Sequence, residues 1–188
     1  DNKPIVLSAK NNKYLRYNSK MKKLDLFIII YSIIIILSVM YATQPLQPLL
    51  AQKFDISITK ASQFTAIIMF FLAISPIVYG YILEKVCAKK MLIIASFILL
   101  VTNIFLAMST TYESFFTFRI IEALVIPAIL TALMSILANT NKENIKFNMS
   151  IYVASTVLGG LVGRIFSGFI ATYFSYEFVF YSDRKSVV

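Results

Sequence analysis

The chain has 188 residues, no histidine and one cysteine, Cys87. Without imidazoles, histidine acid/base chemistry, histidine-based catalytic triads and most zinc sites are excluded. One cysteine excludes an internal disulfide framework. The nine carboxylates are scattered along the chain rather than clustered. No metal site, no cofactor and no enzymatic activity are expected. Charge is scarce as well: 14% of residues are charged, against about a quarter in ordinary soluble domains. That is too little polar surface to coat a globule.

What remains is apolar. Hydrophobic residues make up 59% of the chain, and its mean hydropathy is +0.77. They fall in long blocks instead of amphipathic spacing, which points to membrane spans. In lipid every backbone polar group must be satisfied internally, so the choice is between helices and closed barrels. The ten-residue alternating segments of a barrel are absent. An all-α membrane protein is expected.

The stretch Gly80-Tyr81-Ile82-Leu83-Glu84-Lys85-Val86-Cys87-Ala88-Lys89-Lys90 sets the frame for the rest. Charge-free runs lie on either side, Ala61 to Leu83 and Met91 to Tyr112. A short basic turn between bilayer-length apolar runs reads as a cytoplasmic hairpin between membrane helices. The same reading places a basic segment at 1–25 and spans at 26–52, 61–83, 91–108, 115–138 and 149–173. A sixth apolar run starts at 178 and breaks off at 182. Span 91–108 is almost wholly apolar and reads as lipid-facing scaffold, with Asn103 as a candidate interhelical hydrogen bonder. Ser57 is placed to cap the second span.

The net charge of +9 is distributed by topology. The N-terminal segment and the turns after the second and fourth spans hold twelve basic residues (seven, three and two), whereas the other turns hold Lys53 and Lys60. By the positive-inside rule the N-terminus is cytoplasmic. No aromatic-interleaved basic face is present, so no nucleic-acid partner is expected and the lipid bilayer is the counterpart of this charge.

Polar groups inside the spans mark candidate function. Tyr41, Thr43, Gln44 and Gln47 accompany Pro45 and Pro48 at the far end of span 26–52. They read either as a bent helix end at the interface or as a water-facing cavity wall, for which Tyr41, Gln44 and Gln47 are the candidates. Arg119 and Glu122 lie in the fourth span at a spacing that shares one helix face. Either Arg119 snorkels to the interface, or the pair is functional, the default for intramembrane charge. Arg164 is a third such charge. Counting from the same outer surface puts Glu122 about 10 Å deep and Arg164 about 13 Å deep at a rise of about 1.5 Å per residue. Glu122 is therefore expected to neutralise Arg119, Arg164 or both. Around Arg164, Gly159, Gly160, Gly163, Ser167 and Gly168 form a small-residue face for close helix packing.

Two expectations concern the chain's ends. Met21 is a natural start, and residues 1–20 read either as a cytoplasmic tail or as translated upstream sequence. Asp183-Arg184-Lys185-Ser186-Val187-Val188 reads as translated sequencing adapter, a non-native tail beyond which the gene continues.

With the spans in place, Gly80-x-x-x-Glu84-Lys85-x-Cys87-x-Lys89-Lys90 resembles the G-x-x-x-D-R-x-G-R-R loop signature of the major facilitator superfamily. Arg119-Ile-Ile-Glu122-Ala123 resembles the R-x-x-Q-G motif of its drug/proton antiporter branch. Tyr41-Ala-Thr-Gln44-Pro45-Leu-Gln-Pro48-Leu-Leu resembles the first-helix motif Y-x-x-Q-P-x-x-P-x-L of arabinose-efflux-like permeases in that branch. Leu158-Gly159-Gly160-Leu-Val-Gly163-Arg164-Ile-Phe-Ser167-Gly168 is similar to their fifth-helix G-G-x-x-G-R-x-x-S-G. The resemblance covers about Leu26 to Val179. It implies the six-helix N-terminal half of a two-half fold, a 3+3 inverted repeat with the sixth helix truncated, in a bacterial cytoplasmic (inner) membrane. The second half is the missing partner, and Glu84 of the loop would latch onto it. The antiporter fifth-helix pattern carries Gly-Pro where this chain has Ser155-Thr156, a departure from antiport.

The function implied is proton-driven export of a small organic solute, with Glu122, Arg119 and Arg164 as proton-coupling candidates. The alternative is a fragment that inserts but transports nothing.

Overall fold

A computed structural model of the chain describes residues 23–140 and 144–173. Almost all of the basic segment 1–25, the sixth apolar run 178–182 and the tail 183–188 lie outside the described residues. The described chain is helical throughout, with no strand: α1 (Lys23–Ala42), α2 (Gln47–Lys53), α3 (Ile58–Leu83), α4 (Ala88–Ala107), α5 (Tyr112–Thr140) and α6 (Ile145–Tyr173). Five of these, all but α2, are long and apolar enough to cross a membrane. Each of α3 to α6 begins three or four residues before its apolar run, because the polar first turn is helical too.

The expected first span, 26–52, is two helices rather than one. Pro45 has no N–H to offer the Tyr41 carbonyl. The Gln44 N–H folds back onto that carbonyl instead, at 3.1 Å, and α1 stops at Ala42. The chain restarts in α2 with Pro48 in its first turn, where a missing donor costs nothing. Lateral ties hold the short helix down. Gln47 Nε2 donates to Thr65 Oγ1 of α3 at 2.9 Å, and Lys53 Nζ donates to the Ser109 carbonyl at 3.1 Å. Asp55, next in the chain, takes a left-handed φ of 50°, a conformation that Asp tolerates better than most residues.

Ser57 caps α3 as expected, accepting from the Lys60 N–H at 3.2 Å. Ser57→Ala is expected to destabilise this end by about 1 kcal/mol. The readout is faster amide exchange over residues 58–61 in nanodiscs, and unchanged exchange would show that lipid contact already holds the turn.

The hairpin between α3 and α4 closes through Val86 N–H to Ile82 carbonyl at 2.9 Å. Cys87 is extended (φ −65°, ψ 126°), so this turn does not require glycine at that place. Lys85 Nζ lies 4.7 Å from the Tyr81 ring centroid.

The helix α5 is the axis of the fold: 61% of its span is buried, against 11–28% for the other spans. It packs on α3 and α4, and to a lesser extent on α6, while α1 pairs chiefly with α6. One apolar cluster runs along α1, α4 and α5 through Ile33, Met40, Ile126, Ile129 and Leu133. A second gathers Leu46, Leu50, Phe64 and Phe115 beneath α2. The outer face of α4 exposes Ile93, Phe97, Leu100 and Phe105, as lipid-facing scaffold requires. Asn103 departs from expectation: its amide donates to Leu99 of its own helix at 2.8 Å. In an apolar setting a helix's own carbonyl is the nearest acceptor available.

Candidate functional site

The site is built on the break after α1. Ending a helix early leaves carbonyls without amide partners, and here Gln44 N–H has already turned to Tyr41. The vacated Met40 carbonyl accepts Arg119 Nη2 at 3.0 Å, and the same nitrogen donates to Thr43 Oγ1. Arg119 Nε donates to the Phe64 carbonyl of α3 at 3.3 Å, and Nη1 pairs with Glu122 Oε2. One guanidinium thus joins α1, α3 and α5. A cation at the C-terminal end of α1 also meets the negative end of its dipole.

Arg119 is 1% exposed and Glu122 0%. Of the two sequence readings, snorkelling is therefore excluded: the guanidinium is inside the protein, not at its surface. Glu122 Oε1 is buried and has no hydrogen-bond partner among the described residues. The carboxylate is half satisfied, by charge on one oxygen only.

Arg164 approaches the same break from the opposite helix. Its Nε donates to Gln44 Oε1 at 2.7 Å, and its Cζ lies 4.3 Å from the Tyr41 ring centroid. Gly160 leaves room for that ring, since a Cβ there would come within 3.1 Å of it. Below them opens a cavity of about 430 Å³ lined by Tyr41, Arg164, Tyr152, Thr156, Leu72 and Leu130, among others. Tyr152 is steadied by its hydroxyl donating to the Leu130 carbonyl at 3.3 Å.

Of the neutralisations open to Glu122, of Arg119, of Arg164 or of both, the structure shows the first. The ion pair among the described residues is Arg119–Glu122; Arg164 turns to Gln44 and Tyr41. The cavity-wall candidates also divide. Tyr41 lines the cavity and Gln44 holds its arginine, whereas Gln47 is a tie to α3. Thr43, Tyr152 and Thr156 were not singled out as site residues. Thr43 carried a signal, a hydroxyl beside two prolines, but α6's Tyr152 carried none.

The glycines of α6 separate by role. A Cβ on Gly159 would lie 2.8 Å from the Ile34 carbonyl and the Leu37 Cβ, and one on Gly163 would strike the Ser38 backbone. Ser38 Oγ in turn donates to the Gly159 carbonyl at 3.0 Å. Gly168 has ordinary room, its nearest neighbour being Pro45 Cβ at 3.8 Å. Ser167 is buried and donates to the Gly163 carbonyl of its own helix at 2.6 Å. The loop residues Gly80, Glu84, Lys85, Lys89 and Lys90 are exposed at the opposite end of the bundle. A Cβ on Gly80 would meet no atom within 4 Å.

The family model described as Major Facilitator Superfamily matches residues 28–183. Among curated proteins, the chain is 23% identical over 144 residues to an uncharacterized transporter of Buchnera aphidicola subsp. Schizaphis graminum, covering 76% of this chain and 35% of that protein. It is 22% identical over 141 residues to the inner membrane transport protein YnfM of Escherichia coli, covering 74% and 34%. It is 23% identical over 141 residues to the uncharacterized MFS-type transporter YybF of Bacillus subtilis, covering 74% and 35%. The chain thus spans about a third of the length of the curated relatives it matches. No solved structure matches it.

Proposed function

The chain belongs to the major facilitator superfamily, and on that premise we propose that it forms the N-terminal half of a proton-coupled exporter of small organic solutes, of the drug/proton antiporter branch. Its N-terminus is cytoplasmic in this reading, as the basic residues of the Gly80–Lys90 turn require, and its membrane is the bacterial inner membrane. A second half completes the central site, and Glu84 faces it from the cytoplasmic loop. The cargo is a small molecule and the driving force a proton gradient; no catalytic step and no cofactor enter.

One observation carries the reading. The residues Met40 to Gln44, where α1 breaks, are held from one side by the buried Arg119–Glu122 pair and from the other by Arg164 at the cavity. Interrupted helices line the binding sites of many secondary transporters, and the break after α1 is such an interruption. Glu122 is the proton carrier, because its Oε1 is buried and lacks a partner among the described residues. Protonation there removes the charge that holds Arg119 Nη1, while Nη2 stays on Met40 and Thr43. The fit of α5 against the α1 end then changes, and with it the wall carrying Tyr41. Alternating access follows if the two halves rock about that wall.

The test is solute exchange in proteoliposomes by the two-half protein. Glu122→Gln is expected to keep exchange between equal solute pools but to abolish acceleration by an imposed pH gradient. Gradient-driven transport surviving in the variant would remove Glu122 from the coupling role.

A further inference from the structure

The Arg164 cavity is chemically unlike a general apolar pocket. Among the charges described inside the spans, Arg119 and Glu122 cancel each other. Arg164 is left as a positive charge whose described partners, Gln44 and the Tyr41 ring, are both neutral. Arg164 is itself exposed, and a cation without a counter-charge inside a span is costly in lipid. A bound counter-ion lowers that cost, and the geometry is arranged for one.

Nε is committed to Gln44 at 2.7 Å, and the guanidinium stacks on Tyr41 at 4.3 Å. These two contacts hold the plane of the group while Nη1 and Nη2 have no hydrogen-bond partner among the described residues. That is a pre-oriented fork, and a planar carboxylate is the anion whose two oxygens match it. The cavity it borders, about 430 Å³, falls within the usual size for small-molecule sites of about 300–1,000 Å³. Its walls suit an apolar or aromatic body: Leu72, Leu130 and Val157, beside the rings of Tyr41 and Tyr152.

We propose that the Arg164 cavity binds the carboxylate of a small organic anion, whose apolar body lies between Tyr41 and Tyr152. The assignment rests on the transport reading above and narrows its cargo: a cationic solute would meet the like charge of Arg164 and be rejected.

The experiment uses the chain in phosphatidylcholine nanodiscs with benzoate, benzamide and benzylamine as probes, followed by saturation-transfer NMR and calorimetry. Benzoate is expected to bind at least ten-fold more tightly than its uncharged isostere benzamide, with benzylamine weakest. Arg164→Gln should erase that preference. Arg164→Lys, which keeps the charge but loses the fork and the stack, should retain only part of it, and equal helix content by circular dichroism shows that both variants are folded. Equal binding of benzoate and benzamide, or an undiminished preference in both variants, overturns the proposal. So does displacement of benzoate by phosphatidylglycerol added at stoichiometric amounts, which would assign the fork to a lipid headgroup. Benzoate binding needs neither a proton gradient nor a second half. Its failure therefore leaves the Glu122→Gln result standing, and a failed Glu122→Gln experiment leaves the anion site standing.

Discussion

Arg119→Met is expected to destabilise the chain by about 3–5 kcal/mol, the usual result of removing one partner from a buried ion pair. Glu122 would be left 0% exposed and without its counter-charge. Three further acceptors would lose their donor, the Met40 and Phe64 carbonyls and Thr43 Oγ1. The pair's net worth is a separate question, because burying both charges is itself costly. The double variant Arg119→Met/Glu122→Leu separates the two. With no charge left to bury, it should be more stable than Arg119→Met alone by at least about 1.5 kcal/mol, although the Met40 carbonyl stays unsatisfied. Unfolding in mixed micelles, followed by far-UV circular dichroism, measures both. Additive losses in the double variant would mean that the two residues act separately and that the pair is not the unit holding α1 to α5.

The second large effect is expected at Gly163. A Cβ there would run into the carbonyl oxygen, Cα and carbonyl carbon of Ser38. Those are backbone atoms of a neighbouring helix and have no rotamer to relax into. Gly163→Ala should therefore fall at the upper end of overpacking costs, about 3 kcal/mol, and Gly163→Leu should prevent α1 and α6 from meeting at all. Gly168→Ala is the matched control, since its nearest neighbour would be at an ordinary 3.8 Å. It should lie within about 0.5 kcal/mol of the parent. If Gly163→Ala were as mild as Gly168→Ala, close contact between α1 and α6 would not be a source of stability. The same variant has a functional consequence. Gln44 and Tyr41 on one side and Arg164 on the other meet only while these helices touch. Benzoate preference should therefore fall together with stability in Gly163→Ala and be untouched in Gly168→Ala.

Legibility in the sequence varied with the kind of physics involved. Spans were readable because lipid demands long charge-free runs, and α3 to α6 begin within four residues of the expected edges. The exception, 26–52, has no charge to mark its division; what divides it is two missing N–H groups at Pro45 and Pro48. The prolines announced a distortion but not its form. That Arg119 and Glu122 would face each other was readable from their spacing on one helix, because such a contact depends on helical geometry alone. That Arg164 would turn to Gln44 and Tyr41, rather than to Glu122, was not. Depth along the membrane could be counted, and it put Arg164 and Glu122 close to level, but azimuth around the bundle could not. In the folded chain both arginines reach the end of α1, Arg119 at Met40 and Thr43 and Arg164 at Gln44. For the same reason Asn103 bonds within its own helix and Gln47 serves α3 instead of the cavity.

The amino-acid sequence by itself determined that this is a helical membrane protein, where all but the first of its spans lie, and which charges fall within them. These follow from composition and one-dimensional periodicity, which the solvent reads locally. Only the tertiary structure decided that the break after Ala42 is the meeting point of two arginines: Arg119, spent on Glu122 and the open helix end, and Arg164, held beside a cavity with both Nη nitrogens to spare among the described residues. The reason is physical. Partners at 2.7 to 3.3 Å and 55 to 120 residues apart in sequence are selected by how α1, α3, α5 and α6 pack on one another, and packing is a property of surfaces that no single stretch of chain contains.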